Sequence, residues 1–158
     1  MPFFLSVVLS INLPLLFNIA RFTEWPDEAF TNSRNNIVVC IFHVWQKQKG
    51  VFSITSELRI NRRPLELRAI DSVTELTACH LLYIHKTNSN NHAAIIERIE
   101  NQPILTVSNI VGFIRDGGMI ELREKDKRIS IAVNLPAISK AQIKISSELL
   151  KIASTYPM

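Results

Sequence analysis

The sequence predicts an α/β domain: a mostly parallel central sheet flanked by helices, a Rossmann-like layered sandwich with an antiparallel edge hairpin. Short apolar runs without polar alternation recur along the chain, as in strands buried on both faces, and helical segments separate them. Near the carboxyl end, two strand-like segments flank a short charged loop, the pattern of a hairpin. The 158 residues, of which 47% are hydrophobic, suit one domain with its own core.

The first apolar segment, residues 1–12, resembles the hydrophobic part of a secretion signal but lacks the cationic start and the small-residue cleavage site. Three interpretations are open: a truncated or misassigned signal peptide, an uncleaved anchor, or an apolar extension of the first helix. The first is favoured for Met1 to about Ser10. Residues 13–158 are then expected to form a single α/β domain.

A helix is predicted from about Leu13 to Thr23, with an apolar stripe facing the core. The helix is expected to end at Trp25-Pro26, because the proline ring disfavours the helical conformation for the residue before it. The apolar run Ile37–Phe42 follows a polar turn and is predicted to be a strand buried on both faces. The helix positions expected on or near the buried face are Leu16, Ile19, Ala20 and Phe22.

Three further buried strands are predicted in the middle of the chain, at Leu65–Ala69, Leu81–Ile84 and Ile104–Val107. Helical segments lie between the strands, notably Ala93–Ile99. Strands that alternate with helices favour a parallel sheet that is covered by helices on both faces.

The last part of the chain is predicted to leave this alternating pattern. A turn at Gly117-Gly118 leads to strands at Met119–Leu122 and Ile129–Val133, the expected antiparallel edge hairpin. After the second strand the spacing becomes helical. Ser146 is expected to open a final amphipathic helix that runs through Ala153.

The segment Ser108–Asp116 is a candidate ligand or partner loop. It follows the carboxyl end of a predicted parallel strand, where open α/β sheets place their ligands. The alternative is a structural crossover into the hairpin, in which Arg115 and Asp116 form only a solvated ion pair. The candidate contact residues in this loop are Asn109, Phe113, Arg115 and Asp116.

Two aromatic residues near the end of the first helix, Phe22 and Trp25, are candidates for a protein interface. Exposed aromatic side chains commonly anchor such interfaces. The alternative is that both belong to the core, as helix-end aromatics often do.

Several classes of function lack support in the sequence. The net charge of +4 is spread along the chain, without the basic stripe and interleaved aromatics of a nucleic-acid groove, so no nucleic-acid partner is expected. No carboxylate pair, phosphate loop or catalytic triad is visible, so no enzymatic activity and no cofactor are predicted. The histidines lack the spacing of zinc ligands, so no metal is predicted; they are His43, His80, His85 and His92.

The two cysteines, Cys40 and Cys79, sit on or beside the first and third buried strands. If sequential strands are neighbours, the two side chains lie close, and an oxidising compartment would then favour a disulfide. The alternative is a pair of buried thiols that behave as small hydrophobic side chains. The separation of the Cα atoms decides between them, because a distance above about 7 Å cannot be bridged.

Several short motifs, in a fixed order from about Leu15 to Ala153, resemble the YfiR/HmsC-like family of small bacterial periplasmic proteins. Each motif is weak alone, and their order and spacing carry the resemblance. The motifs are FNIARFTEWP (17–26), NRRPLELR (61–68), CHLLYI (79–84), PILTVSNIVGF (103–113), GGMI (117–120), RISIAVNL (128–135) and KISSELLKIA (144–153).

The resemblance implies a periplasmic regulator that restrains an inner-membrane diguanylate cyclase and so lowers cyclic-di-GMP output and biofilm formation. It also implies a disulfide between Cys40 and Cys79, whereas a second cysteine pair of some relatives has no counterpart here. The implied partners are the periplasmic sensor region of the cyclase, an outer-membrane lipoprotein and a second copy of the chain.

Two other functions compete with this expectation. One is a small-molecule-sensing module with a pocket near Ser108–Asp116, and the other is an enzyme of a class without a visible motif. Stabilisation by a ligand would favour the first, and activity in a broad hydrolase or transferase screen would favour the second.

Overall fold

The computed structural model describes residues 13–30, 35–42, 52–86 and 92–156. The apolar segment 1–12, on which the signal-peptide expectation rests, lies outside these ranges. The helices are α1 (Leu13–Arg21), α2 (His92–Arg98), α3 (Leu135–Lys140) and α4 (Ser147–Leu150). The strands are β1 (Thr23–Glu24), β2 (Ile37–Phe42), β3 (Phe52–Ile60), β4 (Arg63–Ile70), β5 (Leu81–Ile84), β6 (Leu105–Ser108), β7 (Ile120–Lys125), β8 (Arg128–Asn134), β9 (Lys144–Ile145) and β10 (Ala153–Tyr156).

Eight of these strands form one sheet in the order β10-β8-β7-β6-β5-β2-β4-β3. The central strands β4, β2, β5, β6 and β7 are parallel to one another, and β10 is parallel to β8. The antiparallel pairs are β3 with β4 and β7 with β8. The predicted α/β class with a mostly parallel sheet is therefore confirmed.

Strand β2 shows why the parallel strands read as continuous apolar runs. All six of its residues are buried. Ile37, Val39 and Ile41 belong to a core cluster shared with α1, because alternate residues of a strand face the same side. Val38, Cys40 and Phe42 belong to a second cluster that includes residues of α2. The sheet thus has a separate hydrophobic core on each face.

The predicted hairpin is present, but it lies one strand inside the edge of the sheet. Strand β10 pairs with β8 in parallel, with Ala153 opposite Ile131. The expectation that the last helix runs through Ala153 is therefore wrong, since α4 ends at Leu150. The unpaired edge of β8 offers backbone hydrogen bonds to this segment, and such tertiary pairing overrides a weak local helix preference.

The first helix also ends earlier than predicted, at Arg21, because the chain then enters a second, two-stranded sheet. In this sheet Thr23 lies opposite Ile145, and Glu24 lies opposite Lys144. The Thr23 hydroxyl donates a 2.6 Å hydrogen bond to the carbonyl oxygen of Ile19 and so closes the last helical turn. The small sheet joins the amino-terminal motif to the carboxyl-terminal one.

We expect Gly118→Ala to lower the free energy of unfolding by about 1–3 kcal/mol, the usual cost of overpacking a core. A Cβ atom at this position would overlap the buried ring of Phe113. Urea unfolding at equilibrium measures the loss.

The matched control for this substitution is the double variant Phe113→Leu with Gly118→Ala, compared with Phe113→Leu alone. Because the smaller side chain leaves room for the added methyl group, the alanine should cost less in this background. Equal costs in both backgrounds would contradict the overlap as the cause.

Candidate functional site

A cleft of about 720 Å³ lies where strands β2 and β4 begin, beside the small β1–β9 sheet. We call it the aromatic cleft. Its aromatic lining is Phe22, Trp25 and Phe30. Its charged lining side chains are Arg21, Glu24, Asp27, Arg63 and Lys144. Rings beside charges of both signs suit contact with a surface that is partly apolar and partly polar.

Trp25 is both a core residue and a wall of the aromatic cleft. Its side chain is 6% exposed and packs with the core cluster of α1. The indole Nε1 donates a 2.8 Å hydrogen bond to the carbonyl oxygen of His80. The core alternative therefore describes most of this side chain, while part of it borders the cleft. Phe22 is half-buried and borders the same cleft.

His80 contacts Ala29 and Phe30 in the cleft wall, which residues 25–30 form. Its Nδ1 accepts a 3.0 Å hydrogen bond from the amide of Val38, so the ring proton lies on Nε2. Nε2 lies 2.8 Å from the carbonyl oxygen of Ala29, to which it donates. The ring stacks on Phe30 at a centroid distance of 4.5 Å. Burial lowers the pKa of His80 below its ordinary value of 6.5, although the hydrogen bond to Ala29 opposes this shift.

Arg63 contacts the same aromatic ring as His80. Its guanidinium carbon lies 3.6 Å from the centre of the Phe30 ring, a cation–π contact. Its Nη1 also donates to the side-chain oxygen of Asn35 at 3.3 Å. Sequence reasoning did not identify Phe30, Arg63 or His80 as site residues. The available signal was that Arg63 and His80 both lie in motifs that carry the family resemblance.

The Ser108–Asp116 loop lies at the other end of the strands, after β6. Asn109 accepts a 2.8 Å hydrogen bond from the amide of Lys86 and so fixes the loop to the segment after β5. Phe113 is fully buried in the core cluster of α2. Its ring is therefore unavailable to a partner at the surface. These two predicted contact residues stabilise the loop from within.

The charged end of the loop is anchored to α2. Asp116 Oδ2 lies 2.9 Å from His92 Nε2, whereas Arg115 Nε lies 3.8 Å from Asp116 Oδ1. The hydrogen bond from His92 is the largest cause that lowers the pKa of Asp116, and the charge of Arg115 adds to it. The Arg115 side chain is 73% exposed. Of the four predicted loop residues, Arg115 is thus the most accessible.

A cavity of about 390 Å³ lies beside this loop, between it and the start of β7. One of its walls is Glu121, whose side chain is 3% exposed and accepts hydrogen bonds from the amide of Ile114 and from Arg123. Val111 borders the same cavity and is 91% exposed. The cavity therefore combines the exposed apolar Val111 with two arginines, Arg115 of the loop and Arg123 of β7.

A disulfide joins Cys40 in β2 to Cys79, just before β5, with Cα atoms 5.8 Å apart. The pairing that the family resemblance implied is thus present. Both cysteines are almost fully buried, at 0% and 3% exposure. The bond lies on the sheet face opposite the aromatic cleft, within the cluster that also contains Phe113.

Within the described ranges, no group of three or more His, Cys, Asp or Glu side chains is placed to hold a metal ion. In the same part of the chain, no helix is both long and apolar enough to cross a membrane.

The family model described as YfiR/HmsC-like matches residues 10–154, which is most of the chain. The match includes the segments that build the aromatic cleft, the disulfide and the Ser108–Asp116 loop. The resemblance inferred from the short motifs is therefore confirmed.

We expect the double variant Cys40→Ala with Cys79→Ala to lose about 4 kcal/mol of unfolding free energy. This is the loop-closure value for two cysteines 39 residues apart. Urea unfolding of the variant beside the oxidised parent measures the loss. Because both sulfurs are buried, reductant should have little effect on the native parent and act mainly after unfolding. Coincident unfolding curves would contradict a stabilising bridge.

We expect His92→Ala to raise the pKa of Asp116 toward the ordinary value of 3.8, since the variant removes the hydrogen bond that lowers it. Folding lowers the pKa of Asp116, so its ionised carboxylate stabilises the folded chain. This stabilisation is present above about pH 3.8 and is lost as the pH falls through the folded pKa. Carboxyl carbon NMR of Asp116 follows the titration. Arg115→Ala is the control and should cause a smaller rise. An unchanged Asp116 titration in His92→Ala would contradict this assignment.

Proposed function

The chain belongs to the YfiR/HmsC-like family, and from this membership we propose that it binds and restrains an inner-membrane diguanylate cyclase from the periplasmic side. Proteins of this family are periplasmic regulators of diguanylate cyclases, and the family is regulatory rather than catalytic. Restraint of the cyclase would lower cyclic-di-GMP and biofilm formation. The match over residues 10–154 is the observation that carries this proposal.

The proposed mechanism is a binding equilibrium. A regulator without catalytic activity can hold a cyclase inactive only if it binds the inactive state more tightly than the active one. To move a cyclase from almost fully active to almost fully inactive, the ratio of the two affinities must reach about 10⁴. Such a preference needs a surface whose shape persists in the free regulator, because ordering a loose surface on binding weakens affinity.

We propose that the aromatic cleft is the surface that contacts the cyclase. Aromatic and arginine side chains are the residues that most often dominate binding energy at protein interfaces. The cleft offers both kinds, and the hydrogen bonds of His80 and Trp25 fix its wall before a partner arrives. Arg21 and Lys144 are exposed at its rim, where charges steer a partner and set the register.

Two further partners belong to this proposal, a second copy of the chain and an outer-membrane lipoprotein. The support for both is the family resemblance. An outer-membrane partner would release the cyclase by binding the regulator in competition with it, and a homodimer would present two copies of the cleft.

The alternative proposal is a small-molecule-sensing module that uses the Ser108–Asp116 loop. The cavity of about 390 Å³ beside Arg115 favours it, since an exposed arginine at a cavity suits an anionic metabolite, whereas Arg123 is already paired with the Glu121 carboxylate in the cavity wall. A ligand at one hundred times its dissociation constant would raise the unfolding free energy by about 2.7 kcal/mol. A thermal-shift screen of anionic metabolites, with Arg115→Ala as the comparison, tests this function.

We expect the double variant Arg21→Glu with Lys144→Glu to bind the cyclase at least about tenfold more weakly, because reversed rim charges oppose docking. Biolayer interferometry against an immobilised, detergent-solubilised inner-membrane diguanylate cyclase of the same organism measures the affinity. Cellular cyclic-di-GMP should rise when the variant replaces the parent chain.

The matched control is Lys127→Glu with Arg128→Glu, two exposed cations near the turn between β7 and β8, away from the cleft. This pair changes the net charge equally and should leave the affinity nearly unchanged. Equal losses in both double variants would indicate a nonspecific charge effect. Absence of binding by the parent, together with unchanged cyclic-di-GMP on gene deletion, would contradict the regulatory function.

A further inference from the structure

The ring of His80 is fully used as a neutral imidazole. Nδ1 accepts from the Val38 amide at 3.0 Å, and Nε2 donates to the Ala29 carbonyl at 2.8 Å. The residue is 7% exposed, so water cannot readily replace either contact. Only one tautomer satisfies both contacts, because one nitrogen must accept and the other must donate.

These contacts join two segments that are distant in sequence. Val38 belongs to β2 in the middle of the sheet, whereas Ala29 closes the short turn Asp27–Ala29 that borders the aromatic cleft. The backbone of His80 adds to the junction, because its carbonyl oxygen accepts from the Trp25 indole and from the amide of Leu105. His80 thus links the cleft wall, residues 25–30, to the sheet, in addition to the core packing of Trp25, Ala29 and Phe30.

Protonation would break this arrangement for a geometric reason. An imidazolium carries a hydrogen on both nitrogens, so Nδ1–H would face the Val38 N–H and two donors would oppose each other. The ring can relieve the conflict only by moving, and movement also disrupts its contact with Ala29 and its stacking on Phe30. A buried cation left with one partner is unfavourable.

The charges around His80 leave it little compensation. Arg63, on β4 and against Phe30, disfavours a positive imidazole. Glu66 on the same strand favours one, but its carboxylate already accepts hydrogen bonds from Arg68 and Asn36. The turn that His80 holds carries Asp27 and Glu28, both exposed to solvent.

We propose that His80 is a proton-sensitive latch: as the neutral tautomer it fixes residues 25–30 against the sheet, and its protonation releases this wall and opens the aromatic cleft. The latch makes the shape of a binding surface depend on the acidity of the surrounding compartment. It is a property of the folded chain itself and holds whichever partner occupies the cleft.

The direction of the pH dependence follows from the lowered pKa of His80. Folding favours the neutral ring, so this stabilising contribution is fully present above the ordinary value of 6.5 and is lost as the pH falls toward the folded pKa. Between pH 6.5 and the folded pKa of His80, the fraction of molecules with a released wall should grow about tenfold for each unit by which the pH falls.

The test uses the full chain, labelled with ¹⁵N, between pH 7.5 and pH 4.5. Long-range spectra of the imidazole rings should show His80 with a bare Nδ1 and a protonated Nε2 at the upper pH, and a pKa below 6.5. Exchange of the Val38 amide and of the Trp25 indole N–H, corrected for its intrinsic pH dependence, should quicken about tenfold for each unit by which the pH falls between 6.5 and the folded pKa of His80. An ordinary pKa at His80, or exchange that ignores its titration, would overturn the latch.

Two variants separate the latch from general acid unfolding. His80→Gln cannot titrate, so the pH-dependent quickening at the Val38 amide and the Trp25 indole should disappear, while His92→Gln should retain it. If His80→Gln proves unfolded, the ring titration and amide exchange of the parent chain still decide the outcome. Persistence of the same pH response in folded His80→Gln would assign it to other groups and overturn the proposal.

Discussion

The complete burial of strand β2 is the constraint on which the rest of the molecule depends. All six residues are enclosed, with β4 and β5 as neighbours in the sheet and a core cluster on each face. A strand in this position needs cover on both sides, because apolar side chains alternate between the faces and each must leave water. Helix α1 covers one face, and α2 with the segment before β5 covers the other.

Cys79 and His80 attach both of these layers to β2. They are adjacent in sequence, and their side chains lie on opposite faces of the sheet, as expected of an extended segment. Cys79 forms the disulfide with Cys40 on the α2 face. His80 reaches the Val38 amide and the turn beside the aromatic cleft on the other face. One dipeptide thus connects a covalent constraint in the core with the wall of the candidate binding surface.

The two candidate sites lie at opposite ends of the parallel strands. The aromatic cleft lies where β2 and β4 begin, and the Ser108–Asp116 loop follows the end of β6. The loop end is where open α/β sheets usually bind ligands. In this chain the loop directs Phe113 into the core, so the larger cleft with its three aromatic rings gathers more of the groups that dominate protein interfaces.

The sequence by itself determined the α/β class, the buried strands, the hairpin and the family, because burial on both faces produces continuous apolar runs and the short motifs keep their order. It also indicated Phe22 and Trp25, which both border the cleft. Only the tertiary structure decided that β10 covers the hairpin and that Phe30, Arg63 and His80 meet. Contacts between residues so far apart in the chain leave no local periodicity, and they form only when the sheet brings its strands into register.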